Sequence, residues 1–411
     1  MRTVLRFGPP EHWVKNGNVY MKYNFDQIYN LVTKAYLKAR AEERSTEAQL
    51  EYEKDLEINN KILTKELYDR QWKPQPLDWF VNTIPTVREV FAPKFRDRIV
   101  SHVLFILISP IFERYFIFDS HSCRVGKGTL HGISRLEHHL RSVTNNYKED
   151  AWVLNCDITG YFMSIDRNIL YNIIQETISK HKLKFPEQID YEFADYLIKT
   201  FLTRDPLDGC VYHGDPGRIK LVLPEKSLRF QKQGVGIPIG DVINQLFSNI
   251  YLNVLDQYVK RTLKIKGYDR YVDDAKLIHP SYEYLEYCKN KISYFLLSNL
   301  HLRLHPNKTT ITNAYDGIFF LGGIILPYRK YVKNEVLNKF KTFFKDTDDY
   351  LKQNPLNDKN SKVIIDNINS RLGYLSHFNE YKKTFEIIKN STHILNNFEF
   401  MKNLNKSMIK K

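Results

Sequence analysis

The chain has 411 residues, with 61 Lys and Arg against 47 Asp and Glu for a formal net charge of +14, a positive field suited to phosphate backbones. Its four cysteines, Cys123, Cys156, Cys210 and Cys288, lack metal-ligand spacing, which argues against a cysteine metal centre and suits reduced thiols of a cytoplasmic protein. No basic amphipathic anchor, lipidation signal or opening secretory signal is found, so no membrane partner is expected, and the length allows two or three subdomains.

Helices are expected first, over residues 25–40 and 48–67. The apolar run from Ile99 to Phe118 is interrupted by His102, Pro110, Glu113 and Arg114, so a buried helix is expected there rather than a membrane span. Trp152-Val153-Leu154-Asn155-Cys156 reads as a buried strand with Asp157 at its end. Asp166 can then cap a helix whose Ile169, Leu170, Ile173 and Ile174 share one face. Residues 205–227, with Gly209, Gly214, Pro216 and Gly217, read as an inserted loop or hairpin. The glycines of Gln233–Gly240 let backbone approach a ligand closely. Asp241 is the expected N-cap of a long helix that places Ile243, Leu246, Phe247, Ile250, Val254 and Tyr258 at core spacing. Lys260, Arg261, Lys264 and Lys266 suit that helix's negative end, with Gly267 as terminator.

Tyr271-Val272-Asp273-Asp274 follows, at the tip of an expected hairpin. Turn chemistry would prefer Asn-Gly or Asp-Gly there, and adjacent acids repel, so the pair makes most sense with a divalent cation over it. A two-metal phosphoryl-transfer site needs a further carboxylate from elsewhere in the fold, and Asp157 supplies one. Each feature alone also fits a plainer role, an exposed acidic turn or an Asp capping a strand. Together they form the palm pattern of polymerases. From residue 327 onward the chain turns Lys- and Asn-rich and mostly helical, with a loop near residues 355–361.

With these motifs in place the chain resembles a bacterial reverse transcriptase, of the diversity-generating retroelement type and its phage-defence relatives. Asp157 through Phe162 is similar to the family's first catalytic motif, Gly236 through Asn249 to its template and nucleotide loop, and Tyr271 through Asp274 to its second catalytic motif. Arg88-Glu89-Val90-Phe91-Ala92 with Phe95-Arg96-Asp97-Arg98-Ile99-Val100 resembles the fingers signature, and Cys123-Arg124-Val125-Gly126-Lys127-Gly128-Thr129 the second basic loop. Leu304-His305-Pro306-Asn307-Lys308-Thr309 resembles the lysine motif, Phe320-Leu321-Gly322 the primer grip, and residues 368–377 the thumb segment. The likeness runs in family order over residues 70–385. Two departures stand out: most relatives carry Ser-Gln in place of Asn244-Gln245, and more apolar residues in place of Ala275-Lys276. Both leave polymerase chemistry intact and keep the phage-defence relatives in play.

The resemblance implies an α+β right-hand polymerase with a helical N-terminal extension. Extension and fingers would span residues 1–150, the palm with the YVDD hairpin 151–326, with an inserted and nucleotide-binding loop at 205–240, and a helical thumb 327–411. It further implies an RNA-directed DNA polymerase that copies a dedicated noncoding RNA into cDNA from dNTPs, on two Mg²⁺ ions for which Mn²⁺ can substitute. Asp157 and Asp273 would ligate both ions, and Asp274 the ion at the primer 3′-hydroxyl. Arg88, Arg124 and Lys127 would meet the triphosphate. Phe162 matches the steric gate against a ribose 2′-hydroxyl, and Lys308 the lysine that protonates departing pyrophosphate. Phe320, Leu321 and Gly322 would grip the primer, while Ile239, Gly240 and Gln245 belong to the nucleotide-binding loop.

Ile239 stands where most reverse transcriptases carry Gln, whose amide can sense a well-formed pair. Ile offers neither donor nor acceptor, so low fidelity is expected. A small basic accessory protein is a further implied partner, and the oligomeric state is left open. The stretch after Gly322 is too short for a thumb and a ribonuclease H domain together, so other enzymes are expected to remove template RNA. Two other readings stand beside this one: a defence enzyme making DNA by self-priming or on a small RNA, and a catalytically idle nucleic-acid scaffold. The retained like charges argue against the scaffold, because without metal they cost stability.

Overall fold

The computed structural model describes residues 21–42, 45–84, 86–185 and 189–409. The chain separates into two compact units, each discontinuous in sequence: one spans residues 1–116 and 162–251, the other 117–161 and 252–411. These units do not coincide with the consecutive spans 1–150, 151–326 and 327–411, because residues 117–150 pack with the sheet that contains the strand Trp152–Cys156. Among the described residues the strands are, in chain order, β1 (Asp78–Asn82), β2 (Arg88–Ala92), β3 (Trp152–Cys156), β4 (Val211–Tyr212), β5 (Gly267–Tyr271), β6 (Asp274–His279), β7 (Thr310–Asn313), β8 (Ile318–Phe320), β9 (Gly323–Leu326), β10 (Arg329–Val332), β11 (Phe398–Phe400) and β12 (Ser407–Ile409). With the helices between them they make a mixed α+β fold.

In the first unit the helix Phe25–Glu42 packs on Phe95–Glu113. The helix expected over 48–67 is broken at Asp55 into Glu47–Lys54 and Leu56–Tyr68. The apolar run is indeed a buried helix, with Pro110 in its last turn, and no described helix is long and apolar enough to cross a membrane. Asp166 caps Arg167–Lys184 as expected, its Oδ1 accepting from the amides of Asn168 at 2.9 Å and Ile169 at 3.1 Å. The segment 205–227, expected as a loop or hairpin, is mostly loop and forms no hairpin: β4 adds to β1 in parallel, completing the sheet β2-β1-β4, and short 3₁₀ turns follow. Under that sheet lies a small core of Leu77, Trp79, Val81, Phe91, Met163, Val222 and Leu228.

The second unit is built on the antiparallel sheet β5-β6-β3-β7. Strands β3, β5 and β6 are buried along most of their length on both faces, whereas β7 forms the more exposed edge. Val153 and Ile278, paired across β3 and β6, share one cluster with Ile133, Leu136 and Leu140 of the helix Thr129–Val143. Cys156, Tyr268 and Leu277 point the other way, towards Ile292 and Leu296 of the helix Tyr282–Leu300. Residue 267 does not terminate a helix. The preceding helix passes through a π-turn, Tyr258–Thr262, and Lys264 at φ 50° makes the reversal, so Gly267 is free to open β5. Beyond β7 the sheet β10-β9-β8, the helices Asn334–Gln353, Asp358–Leu375, Tyr381–Lys389 and Thr392–Asn397, and the β11-β12 pair enclose Phe320, Ile325, Phe344, Leu372 and Phe398. The region after residue 327 is therefore helical as expected but also holds three strands.

Candidate active site

The YVDD segment is a hairpin whose last ladder pair is Tyr271 with Asp274, so Val272 and Asp273 alone make the turn. Val272 takes φ 55°, a left-handed conformation that a β-branched residue rarely adopts. That strain, roughly 1–3 kcal/mol, is carried by a brace the sequence gave no sign of. Arg270, 1% exposed, donates from Nη1 to the Val272 carbonyl at 2.9 Å, and grips Asp256 through Nε to Oδ1 and Nη2 to Oδ2, both at 2.7 Å. Nη2 also donates to Ser120 Oγ at 3.1 Å, and the Tyr268 hydroxyl donates to Asp256 Oδ1 at 2.7 Å. Burial opposes the guanidinium charge, but the Asp256 carboxylate outweighs it and raises the Arg270 pKa. A planar, always-charged fork suits this task where Lys would not.

The β3–β6 register gathers the acids. Val153 pairs with Ile278, Asn155 with Lys276 and Cys156 with Ala275, so Asp157, one residue further, comes alongside Asp274 on the face shared by Asn155 and Lys276. The Asp157 carbonyl accepts from the His305 amide at 2.7 Å, which ties in the segment carrying Lys308. Lys308 Nζ lies 3.1 Å from Asp157 Oδ2, and Lys276 Nζ lies 2.9 Å from Asp274 Oδ1. Burial, reinforced by Asp157 and Asp274, pushes the Asp273 carboxyl up to about 6. Burial also raises Asp274, against the opposing charge of Lys276. Crowded carboxylates that resist ionising together, with only oxygen donors between them, fit hard divalent cations. Lys276 is the residue that sequence reasoning passed over: its departure from the family pattern was visible, its contact with Asp274 was not.

The other candidate residues fall where their elements put them. In the same unit, Arg124 Nη1 donates to the carbonyls of Ile117 at 2.7 Å and Ser120 at 2.9 Å, and the Lys127 ammonium bonds the Phe118 carbonyl and sits 3.9 Å from that ring's centroid. Both brace their own loop here. Phe320 is buried at the end of β8, with Leu321 at φ 51° and Gly322 at φ 83° turning the chain into β9. Lys276 Nζ is 5.8 Å from the Phe320 ring, so this turn lies beside the acids.

In the first unit, Arg88 opens β2 with its guanidinium on Thr86 Oγ1 at 2.7 Å. Phe162 and Ile239 pack, half-buried, against the same small core. The Phe162 carbonyl accepts from Ile237 at 2.9 Å, and that of Ile239 from Phe91 at 2.7 Å. Gly240 is obligatory on two counts: its φ is 130°, and a Cβ there would come within 2.7 Å of the Phe91 carbonyl oxygen. Gln245 is exposed on the helix Val242–Gln257, whereas Ile243, Asn244 and Leu246 are buried.

The family model for reverse transcriptase (RNA-dependent DNA polymerase) matches residues 85–325, a span that contains every candidate site residue named above. The protein YkfC of Escherichia coli is 26% identical over 308 residues, covering 67% of this chain and 73% of that protein. The group II intron-encoded protein LtrA of Lactococcus lactis is 26% identical over 239 residues, covering 57% of this chain and 33% of its own length. Telomerase from Candida albicans, solved with a TWJ fragment of telomeric RNA, aligns with 77% of this chain and 56% of its own at 13% identity and a TM-score of 0.46. This chain thus spans about a third of LtrA and just over half of that telomerase.

Proposed function

Because the chain belongs to the reverse transcriptase family of RNA-dependent DNA polymerases, we propose that it copies a dedicated noncoding RNA into cDNA, with low fidelity, at Asp157, Asp273 and Asp274. The observation that carries the assignment is the register: Asp157 and Asp274 share one face at one end of the sheet, with Asp273 in the turn between strands and its carboxyl pushed up to about 6 by burial and by its two neighbours. Two Mg²⁺ ions bound there would supply charge stabilisation to the attacking and leaving oxygens of the phosphoryl transfer. Asp157 and Asp273 would hold both ions and Asp274 one. The reaction joins the primer 3′-oxygen to the α-phosphorus of a dNTP and releases pyrophosphate. Lys308, next to Asp157, is placed to give the leaving pyrophosphate a proton.

Within the other unit, Phe162 would close the space for a ribose 2′-hydroxyl, and Ile239 would face the nucleotide without a polar contact to test it. Arg88, Arg124 and Lys127 would reach the triphosphate, the last two by leaving the carbonyls they now hold.

The test is Asp273→Asn with Asp274→Asn. We expect it to abolish dNTP incorporation on an RNA template while RNA binding holds and the melting temperature holds or rises, because the acids serve metal rather than packing and their removal relieves repulsion. Substantial extension by the double variant in Mg²⁺ would overturn the assignment. Sequencing the RNA and cDNA that copurify with the wild-type protein tests the template. One recurrent RNA with an error-rich copy supports the retroelement reading, whereas self-primed DNA, or a faithful copy of a small RNA, supports a role in antiviral defence.

A further inference from the structure

A second convergence of donor atoms lies in the unit that holds the acids, yet shares none of them. Asp269 on β5, Asp119 ahead of the helix Thr129–Val143, and His139 within that helix bring two carboxylate oxygens and an imidazole nitrogen within 4.8 Å of one another. Asp269 is 0% exposed, Asp119 5% and His139 7%. His139 Nε2 is 3.0 Å from Asp119 Oδ2 and 3.8 Å from Asp269 Oδ2.

The remaining atoms of the carboxylates are already held from outside. Asp119 Oδ1 accepts from Arg135 Nε at 2.7 Å, and Asp269 Oδ1 lies 2.8 Å from His121 Nε2, whose Nδ1 lies 2.9 Å from His131 Nδ1. Asp269 Oδ2, buried and aimed at His139, has no hydrogen-bond partner among the described residues. An orphaned buried carboxylate oxygen is costly, and it marks the place where a cation would be met.

We propose that Asp119 Oδ2, His139 Nε2 and Asp269 Oδ2 form a structural site for a divalent transition metal of the zinc type. Two carboxylates match the charge of such an ion, and the imidazole favours it over Mg²⁺, which prefers oxygen alone. Each carboxylate already has the outer hydrogen bond that orients such ligands, from Arg135 and from His121. The Arg135 charge opposes the ion, but the guanidinium addresses the far oxygen of Asp119. On binding, His139 Nε2 carries no proton and any proton held there leaves to solvent. The ion would rivet three pieces of chain. The segments that carry Asp119 and Asp269 are already linked by two backbone bonds, Arg270 N to Asp119 O and His121 N to Arg270 O, each at 2.9 Å, and His139 would add the helix. Three residues beyond Asp269 begins the braced turn that carries Asp273, so the rivet would set the base of the hairpin that carries the proposed catalytic acids.

The test uses the full chain, purified without chelator, exposed to Zn²⁺, dialysed, and assayed for metal by mass spectrometry. About one equivalent of zinc is expected per chain. The same content is expected in the Asp273→Asn, Asp274→Asn variant, whose polymerase acids are disabled. Zinc should fall at least tenfold in His139→Gln, and Co²⁺-loaded wild type should show a tetrahedral visible spectrum that His139→Gln lacks. If His139→Gln does not fold, Asp269→Asn, which keeps the shape and one oxygen, reads out the same loss. Wild type that retains no zinc and whose melting temperature ignores Zn²⁺ would overturn the proposal, leaving a proton on His139 to satisfy the cluster. Loss of zinc in the Asp273→Asn, Asp274→Asn variant would also overturn it, by locating the ion among the polymerase acids.

Discussion

Lys276→Met removes a built-in counter-ion from the acids while keeping side-chain length and contact with Phe320. Lys276 Nζ lies 2.9 Å from Asp274 Oδ1, with the lysine side chain 8% exposed and the aspartate 36%. Two unit charges at such a separation attract by a few kcal/mol at the effective permittivity of protein sites, and the exposure of Asp274 lets solvent screen much of that. A net 1.4 kcal/mol, about tenfold in an equilibrium constant, is a sober figure. A metal entering at Asp274 must displace the ammonium from that oxygen, so its loss should tighten divalent binding about tenfold. Without metal the variant should melt lower, because three crowded carboxyls lose one of the two lysines that neutralise them, and its gain in melting temperature on adding Mg²⁺ should grow. Calorimetric titration of the nucleotide-free protein with Mn²⁺ measures the affinity directly, and the Mg²⁺ dependence of primer extension gives a second midpoint. A midpoint that stays put or rises would refute the counter-ion argument. A fall in turnover alone would instead make Lys276 an orienting residue for Asp274.

Phe162→Ala should admit ribonucleotides, lowering the dNTP preference at least about tenfold, or ~1.4 kcal/mol of differential transition-state binding; an unchanged ratio in a folded variant returns Phe162 to the small core it already touches. Ile239→Gln should lower misincorporation when both proteins copy one RNA and the cDNA is deep-sequenced, and equal error spectra would remove Ile239 from the fidelity argument. Asp97, 1% exposed, has its carboxyl pushed by burial from its ordinary 3.8 up to about 6. The folded state therefore binds the extra proton between those values, and stability from this group is present below about pH 4 and lost as pH rises through 6, by up to roughly 3 kcal/mol. Asp97→Asn, which can keep the 2.6 Å bond from the Gln75 amide, should stabilise the fold at pH 7.5 in urea titrations and do little at pH 4. An equal effect at both would refute the charge-burial account.

What could be read from the sequence was what local chemistry decides. Asp166 caps its helix because a carboxylate ahead of an apolar 3.6-residue pattern has amides to accept, and Trp152–Cys156 is a strand because a short β-prone run ending in Asp fits little else. The misreadings arose where distant chain decides. Nothing local says that Val211–Tyr212 will extend β1 in parallel, since a two-residue strand has no periodicity of its own. Gly267 looked like a helix terminator because basic residues precede it, whereas the reversal is made by a π-turn and Lys264. The Asp119, His139 and Asp269 group was invisible for the same reason: its members meet only through the pairing of β5 with the segment at Ser120 and the packing of the helix Thr129–Val143 on that strand.

The Val272–Asp273 turn shows why a glycine is not required where the sequence suggested one. A type I′ turn would let Asn-Gly relax into place, but it would leave the backbone free to relax away again. Here Val272 is held in a costly conformation by a hydrogen bond to its carbonyl from Arg270, and Arg270 is fixed by Asp256, which also takes the Tyr268 hydroxyl. None of these four residues is among the proposed Mg²⁺ ligands. The turn that carries Asp273 is therefore braced from the buried side of the hairpin, by an ion pair between Arg270 and Asp256 that does not depend on metal. A metal bound at the proposed site would then meet an Asp273 that is already placed, with little reorganisation of backbone for the charge it neutralises.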